Sequence, residues 1–124
     1  MIRGRKSPVV HILAYRKSKE KPDILLAITP DVLDMTEYPR GVHRITWRID
    51  TKGFHFPKDG PTIEFTTPGW QESFRDFKVS DCGRAVTAVN LNRDGLAYAY
   101  NINVVELATG MKAFLDPIVG NNSA

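Results

Sequence analysis

The stretch GLAYAYNINVV, Gly95 to Val105, alternates large and small side chains with a period of two, and its reading decides the fold. On a strand, Leu96, Tyr98, Tyr100, Ile102 and Val104 share one face, while Ala97, Ala99, Asn101 and Asn103 share the other. Two tyrosines two apart can be an exposed platform for stacked bases or part of a sandwich core. A base-stacking sheet of the RNA-recognition kind needs helices packed behind it, and this chain shows no convincing long helix. Arg93-Asp94-Gly95-Leu96 only faintly echoes the start of such a motif. Because the tyrosines share their face with Leu96, Ile102 and Val104, the strand reads as core, with each phenol reaching a polar partner at the rim. Val105 and Leu107 then fall on the opposite parity. Either a bulge re-aims the strand near Val104-Val105, or its end is covered on both faces.

Working outward, Asp94-Gly95 reads as a tight hairpin turn joining a strand at Ala85–Leu91 to the strand at Leu96–Leu107. Upstream, VHRITWRID places His43, Ile45, Trp47 and Ile49 on one face, and PTIEF pairs Ile63 with Phe65. Turn signals recur at Pro22-Asp23, Pro39-Arg40-Gly41, Asp59-Gly60-Pro61, Pro68-Gly69, Asp81-Cys82-Gly83 and Thr109-Gly110. This punctuation predicts an all-β fold, an antiparallel Greek-key β-sandwich of seven or eight strands. PDVLDMTEYP offers one short helical turn, capped by Asp31 or Asp34.

The 124 residues, 42% apolar and 25% charged, suit a single domain. The expected division is a basic N-terminal arm and first-strand region at 1–21, the sandwich at 22–121 and a frayed tail at 122–124. The one cysteine, Cys82, forms no internal disulfide, which suits a reducing, cytoplasmic setting. The run PVVHILAY is too short for a signal peptide, and no segment has the length of a membrane helix.

Charge is unevenly spread. Arg3, Arg5, Lys6, Arg16, Lys17, Lys19 and Lys21 stand against only Glu20 in residues 1–21, a net of +6 in a chain of +3, which leaves −3 for the rest. Such a segment is either a solvated end or a site for phosphates or an acidic partner, and a nucleic acid is the alternative ligand it suggests.

ITPDV, RITWRID, GFHFPKDGPTIEF, FKVSDCGRAVTAVNLNRDG, AYAYNINVV and LDPIVGN together resemble a family of small bacterial proteins of uncharacterised function. Its pattern is an Ile-x-Trp strand, an aromatic-x-aromatic-Pro turn, a Tyr-x-Tyr strand and a closing Asp-Pro followed by Asn. The resemblance spans roughly Ala27 to Asn121 and implies an immunoglobulin-like or cupredoxin-like sandwich, with no activity to carry over.

A cupredoxin copper site needs two His, a Cys and an axial Met, with the Cys, second His and Met close together. Here His11, His43 and His55 all precede Cys82, so the ligand set is incomplete and no metal or cofactor is expected. No serine sits in a nucleophile elbow and no glycine-rich phosphate cradle is present, so the chain is read as non-catalytic. Binding is expected through loops. Trp70, on the turn TTPGWQ, is either an anchor for a partner or a cover for the core edge, and His55 is expected exposed between buried Phe54 and Phe56. The expected partner is another protein, with homodimerisation through edge strands as a second route.

Overall fold

The computed structural model describes residues 7–16 and 24–122. Two sheets pack face to face. The first has the order β2 (Ile24–Thr29), β1 (Val9–Arg16), β4 (His43–Ile49), β8 (Ala85–Asn90), β7 (Phe74–Val79). Period-two patterning explains these strands: Val10, Ile12 and Ala14 of β1, Ile45, Trp47 and Ile49 of β4, and Val86 and Ala88 of β8 are buried, while alternate residues face outward.

The spine of the second sheet is β9 (Ala97–Glu106). Along one edge run β10 (Lys112–Leu115) and β11 (Ile118–Gly120), which keep one register with it, Lys112 opposite Val105 and Gly120 opposite Ala97. They are one strand interrupted at Asp116-Pro117, where proline removes a ladder donor. The other edge carries β5 (Phe54–His55) and β6 (Ile63–Phe65), and β3 (Val32–Asp34) lies beyond β11. Tyr98, Tyr100, Ile102 and Val104 are buried between the sheets, so the core reading of the opening stretch holds, apart from Leu96, which is 57% exposed. Phe65 stacks on Phe74 at 4.0 Å and on Trp70 at 6.0 Å, closing one end of the core.

Other expectations need correction. The described residues form eleven strands rather than seven or eight, because proline-marked interruptions split edges into short pieces. The sheets are mixed: β1 pairs with β4, and β3 with β11, in parallel. A parallel neighbour needs a crossover, and the excursion through β3 and the 3-10 turn Met35–Glu37 brings the chain back beside β1. That turn is capped by Asp34, whose carboxylate accepts from the Thr36 amide at 3.0 Å.

Asp94-Gly95 does not close a hairpin, since β8 and β9 belong to different sheets. The Asp94 carboxylate instead accepts from the Leu96 amide, the Ser73 hydroxyl, the Tyr98 hydroxyl at 2.5 Å and the Asn121 amide group, and this holds the linker as an arch between layers. Asn92 takes a left-handed φ of 52°, and its side-chain Oδ1 accepts from the Asn122 backbone amide at 2.7 Å. Asn122, expected in a frayed tail, is 7% exposed and donates to the Met35 carbonyl at 2.8 Å. Among the described residues no buried side-chain nitrogen or oxygen lacks a partner, so this asparagine network is satisfied throughout.

Residues 9–16 of the basic segment form β1, inside the first sheet between β2 and β4. No described helix is long and apolar enough to cross a membrane.

Candidate binding cleft

Alternation in β5 and the residue after it buries Phe54 and Phe56 and turns His55 outward, where it is half-buried. His55 and Lys112 both stand opposite Val105, from the two edges of β9, so His55, Val105 and Lys112 make one cross-strand row on the outer face of the second sheet. That row floors a cleft.

The turn joining β7 to β8 forms its wall. The Ser80 amide donates to the Ala85 carbonyl at 2.8 Å, the Ala85 amide donates to the Ser80 hydroxyl at 3.1 Å, and the Gly83 amide donates to the Ser80 carbonyl at 2.9 Å. The Phe56 amide donates to the Gly83 carbonyl at 2.8 Å, tying the wall to the floor. The Arg84 guanidinium braces the turn from behind on the carbonyls of Ile49 and Asp50. Gly83 has a φ of +75°, and a Cβ there would lie 3.1 Å from Nδ1 of His55, so a glycine lets the wall approach the imidazole.

The cleft encloses about 800 Å³. Phe56, Pro57, Val79, Val105 and Leu107 give it apolar surface; Lys58, Asp59, Asp81 and Lys112 give it charges of both signs. A cleft of this size, apolar with a few placed polar groups, suits a side-chain cluster or a small ligand. Cys82 lines it as an exposed free thiol, with Ser80 Oγ 3.3 Å from its sulfur. The Ser80 hydroxyl, with help from the Arg84 backbone, holds that thiol below its ordinary value.

His55 is therefore placed in a cleft, while Trp70 and Arg16 are not brought to it. Trp70 is half-buried in a 3-10 turn, stacked on Phe65 and edge-on to Phe77 at 6.0 Å, and covers the core edge. Arg16 pairs with Glu106, its Nε donating to Oε2 at 3.2 Å, a link from β1 to β9 across the layers. Arg3, Arg5, Lys6, Lys17, Lys19 and Lys21 lie outside the described residues. His43 donates from Nε2 to the Pro39 carbonyl at 2.7 Å and meets Tyr38 edge-on. The described residues contain no group of three or more His, Cys, Asp or Glu placed to hold a metal ion.

Sequence reasoning missed Lys112, Pro57 and Leu107 as neighbours of His55. One signal was present: the parity change at Val105 and Leu107. β9 keeps one register with β10 and β11, so no bulge re-aims it on that side; Val105 and Glu106 are half-buried, Leu107 is 55% exposed, and Val105 and Leu107 line the cleft.

Compared with known proteins, the chain matches no family model and no curated sequence.

Proposed function

We propose that the protein is a non-catalytic binding module that seats a segment of a partner protein in the His55 cleft. The observation that carries this reading is the row His55, Val105, Lys112 lying as an apolar and cationic floor beneath a wall braced by Arg84. A preformed floor and wall reduce the ordering cost of binding. The finer fold reading, a Greek-key sandwich of immunoglobulin-like or cupredoxin-like type, belongs to this proposal; the chain's repeated crossing between sheets supports it. So does a cytoplasmic setting, supported by the single unpaired cysteine.

The test uses three baits in native lysate: the intact chain, Val105→Asp, and Val42→Asp at an exposed position before β4. The intact chain and Val42→Asp should capture a common partner that Val105→Asp loses. Retention by Val105→Asp would sink the proposal. A second reading, a nucleic acid or acidic partner held by the +6 segment at residues 1–21, predicts binding that falls steeply with salt; a salt-insensitive gel shift would remove it.

A further inference from the structure

We propose that β2 is a strand-accepting edge whose occupant is an extended, cationic peptide segment with alternating apolar side chains. A sheet edge presents unpaired N–H and C=O groups, and proteins guard such edges with bulges, charges, prolines or short length. The other described edges carry these guards. β7 is broken by a register shift between Arg75 and Lys78, with Asp76 at a φ of 57°. β3 is three residues long and β5 two, with Pro57 and Pro61 between β5 and β6, and β10 is four residues long and carries Lys112.

β2 has none of them. Its six residues, Ile24 to Thr29, contain no charge and no proline, and their register with β1 runs unbroken from Arg16 opposite Ile24 to His11 opposite Thr29. Among the described residues, β1 is its one strand partner.

The surroundings specify the occupant. Between β2 and the β10–β11 strand lies a groove of about 460 Å³ with Leu26, Val32, Leu115 and Ile118 in its lining. On the outer face Leu13, Tyr15 and Leu25 are 50%, 49% and 37% exposed. A strand added to β2 sends one set of alternate side chains into the groove, which should be apolar, and the other over this outer patch, where a threonine methyl can lie. Among the described residues, the only charged ones lining the groove are Asp31 and Asp116, both exposed. They call for a lysine or arginine on the incoming segment, which the uncharged Ile24–Thr29 of a second copy does not supply. β2 and β7 are opposite edges of the first sheet, so this surface is separate from the cleft that Val79 lines.

The test uses the full chain and three labelled ten-residue peptides: alternating valine and threonine with two lysines, the same with two glutamates, and the lysine peptide with a central proline. Anisotropy should show that the lysine peptide binds and the other two bind more weakly. Hydrogen exchange should show new protection at Ile24–Thr29. The double variant Asp31→Lys with Asp116→Lys should weaken the lysine peptide about fivefold, as expected for two exposed ion pairs, and tighten the glutamate peptide. Melting of the variant alongside the parent confirms that it is folded, and rescue by the glutamate peptide is an effect that misfolding does not produce. Equal binding of the lysine and glutamate peptides, or protection outside β2, would overturn the proposal. So would a dimer of the chain alone with β2 amides protected, since the occupant would then be a second copy.

Discussion

The Trp47 indole N–H donates to the Tyr100 hydroxyl at 2.9 Å across the sandwich, and the two rings meet edge-on at 5.6 Å. Trp47 belongs to β4 and Tyr100 to β9, so one buried bond joins the central strands of both sheets. Tyr100→Phe leaves the indole N–H without an acceptor in a dry core, at a cost of about 1–3 kcal/mol. Chemical denaturation of Tyr100→Phe, Trp47→Phe and the double variant should show strong coupling; additive losses would refute it.

Burial raises the Tyr100 hydroxyl above the ordinary tyrosine value of 10.0, and burial together with the Asp94 bond raises Tyr98. Both raised groups favour the neutral form in the folded state. Their contribution is complete below about pH 10 and is lost as pH rises through the folded values. Absorbance titration of the native protein should show Tyr98 and Tyr100 ionising above the ordinary tyrosine value.

Asp94 behaves oppositely. Burial works to raise its carboxyl, but the bonds from Ser73, Tyr98, Leu96 and Asn121 outweigh burial and hold it below the ordinary 3.8. A lowered carboxyl contributes stability that is complete above the ordinary value and is lost as pH falls through the folded one. Asp94→Asn exchanges charge-assisted bonds for neutral ones and should cost on the order of 1 kcal/mol at pH 7. Its melting temperature should also fall less steeply than the parent's between pH 5 and pH 3; parallel curves would contradict this.

Cys82 should alkylate in the native protein with a midpoint below the ordinary thiol value of 9.0, because the Ser80 hydroxyl favours the thiolate. Ser80→Ala should move that midpoint upward and slow iodoacetamide at pH 7.5. A ligand seated in the cleft should protect the same thiol, which gives a footprint for the proposed function.

Gly83→Ala tests the wall. The left-handed backbone costs a non-glycine residue about 1–2 kcal/mol, and the new methyl must displace His55 by a few tenths of an ångström. The variant should melt earlier and shift His55 imidazole resonances, with little change at Trp70.

Alternation made much of this legible. Tyr98 and Tyr100 shared a parity with Ile102 and Val104, and the buried strand follows from that local fact. Phe54 and Phe56 were legible for the same reason, and the cap was narrowed to Asp31 or Asp34: their determinants lie within a few residues. Strand pairing was not local. Asp94-Gly95 has the composition of a two-residue turn, yet Asp94 is engaged by Ser73 and Asn121, more than twenty residues away on either side. The cleft combines residues 55–59, 79–83 and 105–112, three segments that sequence spacing does not connect. Trp70 illustrates a limit of composition: an aromatic on a turn reads equally as anchor or cover, and only Phe65 and Phe77 decide it.

The buried asparagine network sets a schedule for folding during synthesis. Asn122 closes on the Met35 carbonyl, and β11 pairs with β3, so contacts made by residues 32–35 wait for residues 118–122 to emerge from the ribosome. Until then the arch at Asp94 lacks Asn121, and β9 lacks β10 and β11 along one side. A chain truncated near residue 110 should therefore be protease-sensitive through β9, and resistance should appear in one step once residues 118–122 are included.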